Sequence, residues 1–390
     1  MRTLRNGLPR VAIAHDYLSQ RGGAERVVLA MAQAFPDATI HTTLYDPTGT
    51  YPEFAGMRII VSPLNRMAWL RHHHRVAFLL LPLAARLVRP RAQVVLVSSS
   101  GFAHGFHAEG RRLVYCHAPA RWLYQPDSYL GLDRDSGARA GGGTGGSTLS
   151  SWALRLTLSA LQPVLVRWDQ KAAQAADRYL TNSRVVRDRV RAAYGIEATV
   201  LPPPVALDAT GDHEPVPALA DWVEPGYHLV VSRLLPYKHV EQVAAAFARL
   251  PSRRLVVVGD GPGAARLAAA LPCNVRMVRV LSDAQLRWVY AHSTALVAAS
   301  FEDFGLTPVE AAAFGKPTIA LGEGGYLDTV VPDVTGVFFC EPTAAAIAEA
   351  VEVAARHTWS AQAIRAHAAG FSQEAFAAAL RRHVEELMNR

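Results

Sequence analysis

Cysteine is scarce in this 390-residue chain: Cys116, Cys273 and Cys340 lie far apart and show none of the close spacing that metal sites need. The opening MRTLRNGLPRVAIAHDY lacks the apolar run of a secretory signal, so a cytoplasmic location is expected. Long apolar runs are also missing. The clearest, residues 76–85, is ten residues long, contains Pro82, and is too short to span a bilayer. Charge is moderate, at 19% against a 50% hydrophobic fraction, which excludes disorder as the default and leaves room for two domains, each with its own core. What is present is an uneven distribution of charge. Residues 1–204 carry 25 Lys and Arg against 13 Asp and Glu, a net +12, whereas residues 205–390 carry 15 against 20, a net −5. Different partners are expected for the two halves.

Hydrophobic periodicity divides the chain at the same place. In the first half, strand-like segments at 11–14, 58–61, 94–98 and 113–116 alternate with helical stretches at 24–35 and 151–176, the grammar of an α/β domain with a parallel sheet. Pro202, Pro203 and Pro204 close the strand-like 199–201, and a polar, acidic, proline-containing linker runs on to Pro225. The second half repeats the pattern, with strands at 229–232, 254–259, 275–280, 295–299 and 318–321 and helices at 240–250, 264–270 and 283–292. The reading is two Rossmann-like, doubly wound α/β domains, 1–204 and 205–372, facing a central cleft, followed by a last segment, 373–390. Ligands bind outside the carboxyl ends of parallel strands, so the chemistry is expected there.

Several motifs sit at those ends. Gly22 and Gly23 directly precede a helix, whose free amides and positive dipole end suit an anion. The plain alternative is a glycine turn with Glu25 complementing the helix start. Arg233 and Lys238 share the loop RLLPYK, where two cations can grip a diphosphate or simply stand in solvent. VVVGDGPGAA fits a dinucleotide fingerprint through Gly259, Gly261 and Ala264. However, Asp260 would set a carboxylate beside a pyrophosphate, and Asp283 falls at an expected helix N-cap, so a dehydrogenase is set aside and a nucleotide base or ribose is retained for this loop. His117 ends a strand and opens the rigid loop HAPARW, which carries Arg121. Glu302 and Glu310 stand eight residues apart in FEDFGLTPVEAAAFGKP, with Gly305 and Pro308 permitting a bend and then a helix start. Paired carboxylates serve either as acid and base or as two acceptors on one polyol. His72, His73 and His74 are consecutive, so on a helix they diverge, and Asp133 and Asp135 open the glycine-rich GARAGGGTGGS. Neither set reads as a metal site.

Taken together, GGAERV, YCHAPARWLY, SRLLPYK, VVGDGP and FEDFGLTPVEAAAFGKP resemble the retaining nucleotide-sugar glycosyltransferases of family 4, which have the GT-B fold, over about residues 10–380. SSSGFAHGF followed by YCHAPARWLY is similar to bacterial transferases that build surface polysaccharides, several using GDP-mannose. Ala118 stands where threonine or serine is usual, and Asp303 where serine is common, which leaves the donor open.

The resemblance implies roles. Arg233 and Lys238 would stabilise the departing nucleoside diphosphate without an essential metal or bound cofactor. Glu310 would take the ribose hydroxyls, Glu302 would hold donor-sugar hydroxyls near the reacting centre, and His117 would contact the sugar. Gly22, Gly23, Gly259, Gly261, Val280 and the backbone of Phe304, Gly305 and Leu306 complete the expected donor site. The first domain would take the acceptor, and the last helix, 373–388, would cross back onto that domain. There Arg66, Arg71, Arg75 and Arg121 offer a basic surface, and residues 66–91 suit either an anionic membrane and a lipid-linked or glycan acceptor or an ordinary core helix with an arginine rim. No nucleic-acid module accompanies the positive charge. The expectation is a peripheral, cytoplasmic hexosyltransferase with a nucleotide sugar, GDP-mannose favoured, as donor. The alternatives are a UDP-sugar-dependent transferase acting on a small acceptor, and a non-catalytic nucleotide or glycan binder.

Overall fold

A computed structural model describes residues 9–67, 81–124, 148–205 and 207–389. Arg71, Arg75, the three consecutive histidines and the D-x-D string lie outside them. The chain divides into two units, Met1–Pro204 with Gln373–Arg390, and Val205–Ser372.

Among the described residues, the first unit is built on seven parallel strands. In chain order they are β1 (Val11–His15), β2 (Thr39–Thr42), β3 (Ile59–Val61), β4 (Arg91–Ser99), β5 (Glu109–Cys116), β6 (Arg178–Thr181) and β7 (Thr199–Val200), arranged β3-β2-β1-β4-β5-β6-β7. Side chains alternate between two faces with the two-residue period of a strand. Val11 and Ile13 of β1 join Val94 and Leu96 of β4 in one core, while Ala12, Ala14, Val95 and Val97 join the other. Both faces are covered, which is why the strands read as unbroken apolar runs. Helix Gly23–Ala34 and the C-terminal helix Gln373–Met388 close the first face, the latter burying Phe376, Ala377, Leu380, Val384 and Leu387. Gln373 Nε2 donates to the Ala30 carbonyl at 3.0 Å and Arg381 Nε to that of Ala34 at 3.1 Å. Burying each large apolar side chain of that helix contributes about 1.5–3 kcal/mol, so the last 18 residues are an integral part of this unit.

The second unit has six parallel strands, β8 (Tyr227–Val231), β9 (Leu255–Val258), β10 (Val275–Val278), β11 (Ser293–Ala298), β12 (Thr318–Leu321) and β13 (Gly336–Phe339), ordered β10-β9-β8-β11-β12-β13. One continuous core runs through it, with Leu229, Val256, Val257, Leu296, Ile319 and Val351 fully covered. Each sheet has a point where strand order reverses, between β1 and β4 in the first and between β8 and β11 in the second. Open α/β sheets bind ligands outside the strand carboxyl ends at such a point, because the connections leave in opposite directions and open a crevice. Among the described residues no helix is long and apolar enough to cross a membrane.

Candidate active site

In the second unit, the loop after β8 carries Arg233, exposed, and Lys238, which ends the 3-10 turn Pro236–Lys238 and is largely covered. The loop after β11 carries Ser300 and Glu302. Lys238 Nζ donates to Glu302 Oε1, and Ser300 Oγ donates to the same oxygen at 2.6 Å. Ser300 Oγ also lies 3.0 Å from the Tyr326 hydroxyl. Since the serine has only one hydrogen and the carboxylate has none to give, Tyr326 is the donor in that contact. Burial first, and the charge of Glu302 second, raise the Tyr326 phenol above its ordinary pKa and keep it neutral. The result is a carboxylate fixed at one oxygen by a cation and a hydroxyl, at the reversal point of the sheet.

The backbone around Glu302 explains three glycines. Gly325 N donates to the Glu302 carbonyl at 2.8 Å; a Cβ on Gly324 would stand 2.6 Å from that carbonyl oxygen, and one on Gly325 would stand 2.3 Å from Phe304 Cα. Gly305, with φ 88°, precedes helix Leu306–Ala313, and a Cβ there would strike the Tyr326 ring at 2.5 Å. Glu310 lies in the second turn of this helix and accepts from the buried Tyr290 hydroxyl at 2.8 Å. Each of the two glutamates therefore has an aromatic hydroxyl behind it, Tyr290 directly and Tyr326 through Ser300.

The glycines after β9 have a packing reason of their own. A Cβ on Gly259 would lie 1.9 Å from the Ser232 carbonyl oxygen, and one on Gly261, at φ 154°, would lie 2.8 Å from that of Leu234. Leu234 N donates to the Asp260 carbonyl at 2.9 Å, and Gly263 N to that of Leu234 at 3.2 Å. This loop thus lies backbone to backbone on the one that carries Arg233. The Asp260 carboxylate accepts from Gly261 N at 2.7 Å and from Arg279 at 2.6 Å; the amide first and the guanidinium second hold its pKa below the usual value. Val280, just past β10, is 87% exposed with φ 54°. The helix Asp283–His292 is capped by Ser282, in a reciprocal box with Gln285, so Asp283 is its first residue rather than its cap.

In the first unit, β1, β4 and β5 bring His15, Ser98 and His117 together. His15 Nδ1 lies 3.1 Å from the Ser98 carbonyl and 3.0 Å from Ser98 Oγ, and Ser98 Oγ lies 2.8 Å from His117 Nε2. Behind His15, its Nε2 is 3.9 Å from Glu25 Oε1, and both side chains are buried. Burial alone would lower the His15 pKa, but Glu25, Asp16 and the Ser98 carbonyl together raise it. Burial, reinforced by the nearby charge of His15, lowers His117 to about 3. Asp16 accepts from the amides of Ser100, Phe102 and Ala103 at 2.5, 2.9 and 2.6 Å, fixing the turn after β4.

Gly22 caps helix Gly23–Ala34 in an extended conformation open to any residue, so its reason is steric: a Cβ would stand 2.5 Å from Glu25 Oε2. Glu25 is buried rather than a surface complement to the helix start. Of the basic surface, Arg66 is exposed at the end of the turn Pro63–Arg66, and Arg121 is exposed at the start of helix Arg121–Tyr124.

Sequence reasoning passed over His15 and Ser98 in the first unit and read Glu25 only as a complement to the helix start; in the second it passed over Ser300, Tyr290, Tyr326 and the Gly324–Gly325 pair. The available signal was positional. His15 and Ser98 end apolar strand runs on either side of the reversal, and Ser300 follows the run of β11.

These two strand-end constellations, on separate Rossmann-like units, define a GT-B architecture. Residues 21–209 match the family model "Glycosyltransferase Family 4" and residues 222–369 match "Glycosyl transferases group 1". The chain belongs to the family 4 glycosyltransferases. It is 40% identical over 119 residues to a GDP-mannose-dependent alpha-mannosyltransferase of Mycolicibacterium smegmatis, covering 30% of this chain and 31% of that one. It is 32% identical over 228 residues to a D-inositol 3-phosphate glycosyltransferase of Segniliparus rotundus, covering 52% and 50%. The chain thus spans about half or less of the length of the curated relatives it matches. Among solved structures, Anabaena HepE in complex with UDP-glucose superposes with a TM-score of 0.64 at 16% identity, over 97% of this chain and 99% of that one.

Proposed function

We propose that the chain is a retaining hexosyltransferase that moves a sugar, mannose from GDP-mannose favoured, onto a lipid-linked or cell-surface glycan. The observation that carries this reading is the cluster at the reversal point of the second unit: Glu302 held by Lys238 and Ser300, with Arg233 exposed on the neighbouring loop and Glu310 in the helix that follows. Two cations there suit the two phosphates of a nucleoside diphosphate, whose negative charge grows as the sugar leaves. Lys238 exchanges part of its contact with Glu302 for a phosphate oxygen, which frees the carboxylate to accept from sugar hydroxyls. Glu310, steadied by Tyr290, accepts from the ribose. In a retaining transfer of this kind the acceptor hydroxyl attacks from the face the phosphate leaves, and a donor phosphate oxygen takes its proton, so no protein nucleophile is required. His117, neutral at pH 7, serves as a hydrogen-bonding group rather than as a base.

The mannosyltransferase relative supports GDP-mannose as donor, and the basic character of residues 1–204 supports an acceptor carried on an anionic membrane surface. No essential metal is proposed for the phosphates, because Arg233 and Lys238 supply positive charge. The test is incubation of the full chain with a panel of GDP- and UDP-sugars and a bacterial membrane extract, reading free nucleoside diphosphate and the anomeric configuration of the product. Release from GDP-mannose with retained configuration is expected. Silence with every donor, or an inverted product, refutes the reading.

A further inference from the structure

The first unit contains a buried chain of polar groups that the donor-site reading leaves unused. It runs from Glu25 through His15 and Ser98 to His117, with contacts of 3.9, 3.0 and 2.8 Å. Glu25, His15 and Ser98 are at most 2% exposed. Polar groups buried this deeply are costly unless each is satisfied, so their order along the chain has chemical content.

The direction of the chain follows from one fixed acceptor. The Ser98 carbonyl can only accept, so the His15 nitrogen 3.1 Å away, Nδ1, carries a hydrogen in either protonation state of that ring. Ser98 Oγ, 3.0 Å from the same Nδ1–H, accepts from it and turns its own hydrogen the other way. That hydrogen meets His117 Nε2 at 2.8 Å, which makes Nε2 the acceptor. A neutral imidazole that accepts at Nε2 carries its proton on Nδ1. The rest of His117 is also held. Its amide donates to the Ser99 carbonyl at 2.9 Å, its carbonyl accepts from Asn182 Nδ2 at 3.2 Å, and its ring meets Tyr115 edge-on at 5.1 Å. The ring is partly exposed, and its Nδ1 has no hydrogen-bond partner among the described residues.

We infer that Glu25, His15 and Ser98 are positioning residues that lock His117 as the Nδ1–H tautomer, so that it presents a hydrogen-bond donor to a sugar or phosphate oxygen. Glu25, whose Oε1 accepts from Gln20 Nε2 at 3.1 Å, stands 3.9 Å behind His15 Nε2 and acts on that ring as a buried charge. Ser98 converts the donor of one ring into a donor toward the next. The groups facing the two rings are Glu25, Asp16, Ser98 and Tyr115, and among them Ser98 alone touches both imidazoles. The sugar contact in this inference rests on the proposed transferase function, whereas the tautomer does not.

Two readouts keep those parts separate. Nitrogen-15 NMR of ring-labelled, donor-free protein at pH 7 is expected to show His117 with its proton on Nδ1. In Ser98→Ala the preference should be lost, and Ser98→Thr should restore it. His15→Asn, whose amide N–H occupies the place of Nδ1–H, should keep the tautomer, whereas His15→Leu should release it, which guards against a single variant that fails to fold. With GDP-mannose as probe donor, Ser98→Ala is expected to lower kcat about tenfold or more with KM changed less than about twofold, and Ser98→Thr to recover most of the loss, as for other histidines whose tautomer is set by a neighbour. A wild-type His117 protonated on Nε2, or a tautomer unmoved in Ser98→Ala, overturns the inference. If the tautomer moves and kcat stays at the wild-type value, the positioning has no catalytic consequence and the inference is overturned on that ground. If no donor is turned over by the wild type while the tautomer behaves as stated, the fault lies with the transferase reading.

Discussion

Lys238 and Glu302 form the contact that most directly links the stability of the second unit to its chemistry. Their side chains are 14% and 26% exposed, between a surface pair, worth about 0–1 kcal/mol, and a fully buried one, whose breakage costs about 3–5 kcal/mol. A double-mutant cycle with Lys238→Met, Glu302→Gln and the double variant should therefore give a coupling energy of about 1–2 kcal/mol. Ser300 keeps its contact with Tyr326 in every variant and so cancels from the cycle. The measurements are urea denaturation and calorimetry of the full chain, in which each lost kcal/mol lowers the melting temperature of a unit this size by about 2–4 °C. Because the pair is mostly covered, most of the coupling should survive 0.5 M salt, where an exposed pair is screened. In the same variants, transfer should fall by at least about 100-fold for Glu302→Gln, since a charge-assisted contact to the reacting sugar is lost. Coupling below about 0.5 kcal/mol, the range expected of independent sites, together with unimpaired turnover, would refute the reasoning.

Three further perturbations follow from the geometry. His117 titrates near 3 in the folded chain against an ordinary 6.5, so the unfolded state binds the extra proton in that window and the stability His117 provides, full above 6.5, is lost as pH falls toward 3. Denaturation curves of His117→Gln should thus show a slope of stability against pH shallower by up to about 1.4 kcal/mol per unit near pH 5; parallel slopes would contradict the burial. His15 and His104, raised instead, lose their contributions as pH rises through their folded values and act on the other side of 6.5. Gly259→Ala would set a Cβ 1.9 Å from the Ser232 carbonyl oxygen and should cost more than about 2 kcal/mol, whereas Gly56→Ala, with open space around it, should stay within about 0.5 kcal/mol; similar melting temperatures would contradict the backbone contact. Tyr290→Phe deletes the hydroxyl that steadies Glu310, so KM for the nucleotide sugar should rise several-fold with kcat nearly unchanged, and a fall in kcat alone would show that Glu310 acts elsewhere.

Much of this architecture was legible because parallel strands buried on both faces write unbroken apolar runs, as at VAIA, VVLV and LVVV. Strands β2, β6 and β13 were harder to see. Each has only four residues, and TIHT and RYLT mix polar groups into positions that the sheet nevertheless covers. The two spaced glutamates stood out because a loop, a glycine and a helix start follow one another in sequence. The contacts made by Glu302 did not, since Lys238 lies 64 residues away and reaches it only through the pairing of β8 with β11. Gly259 and Gly261 were readable as special positions, but the close approach of Ser232 and Leu234 that they permit was not. The chain from Glu25 to His117 draws on four separate elements. Only strand order reveals it, and strand order is not a property of any local window.

The measurement that tests the account most directly is transfer of labelled mannose from GDP-mannose into lipid-extractable glycan, comparing the wild-type chain with Glu302→Ala of verified fold. The account predicts stoichiometric GDP release and labelled product for the wild type, and loss of both by at least about 100-fold for the variant. Equal transfer by the two proteins would contradict the central place given to Glu302.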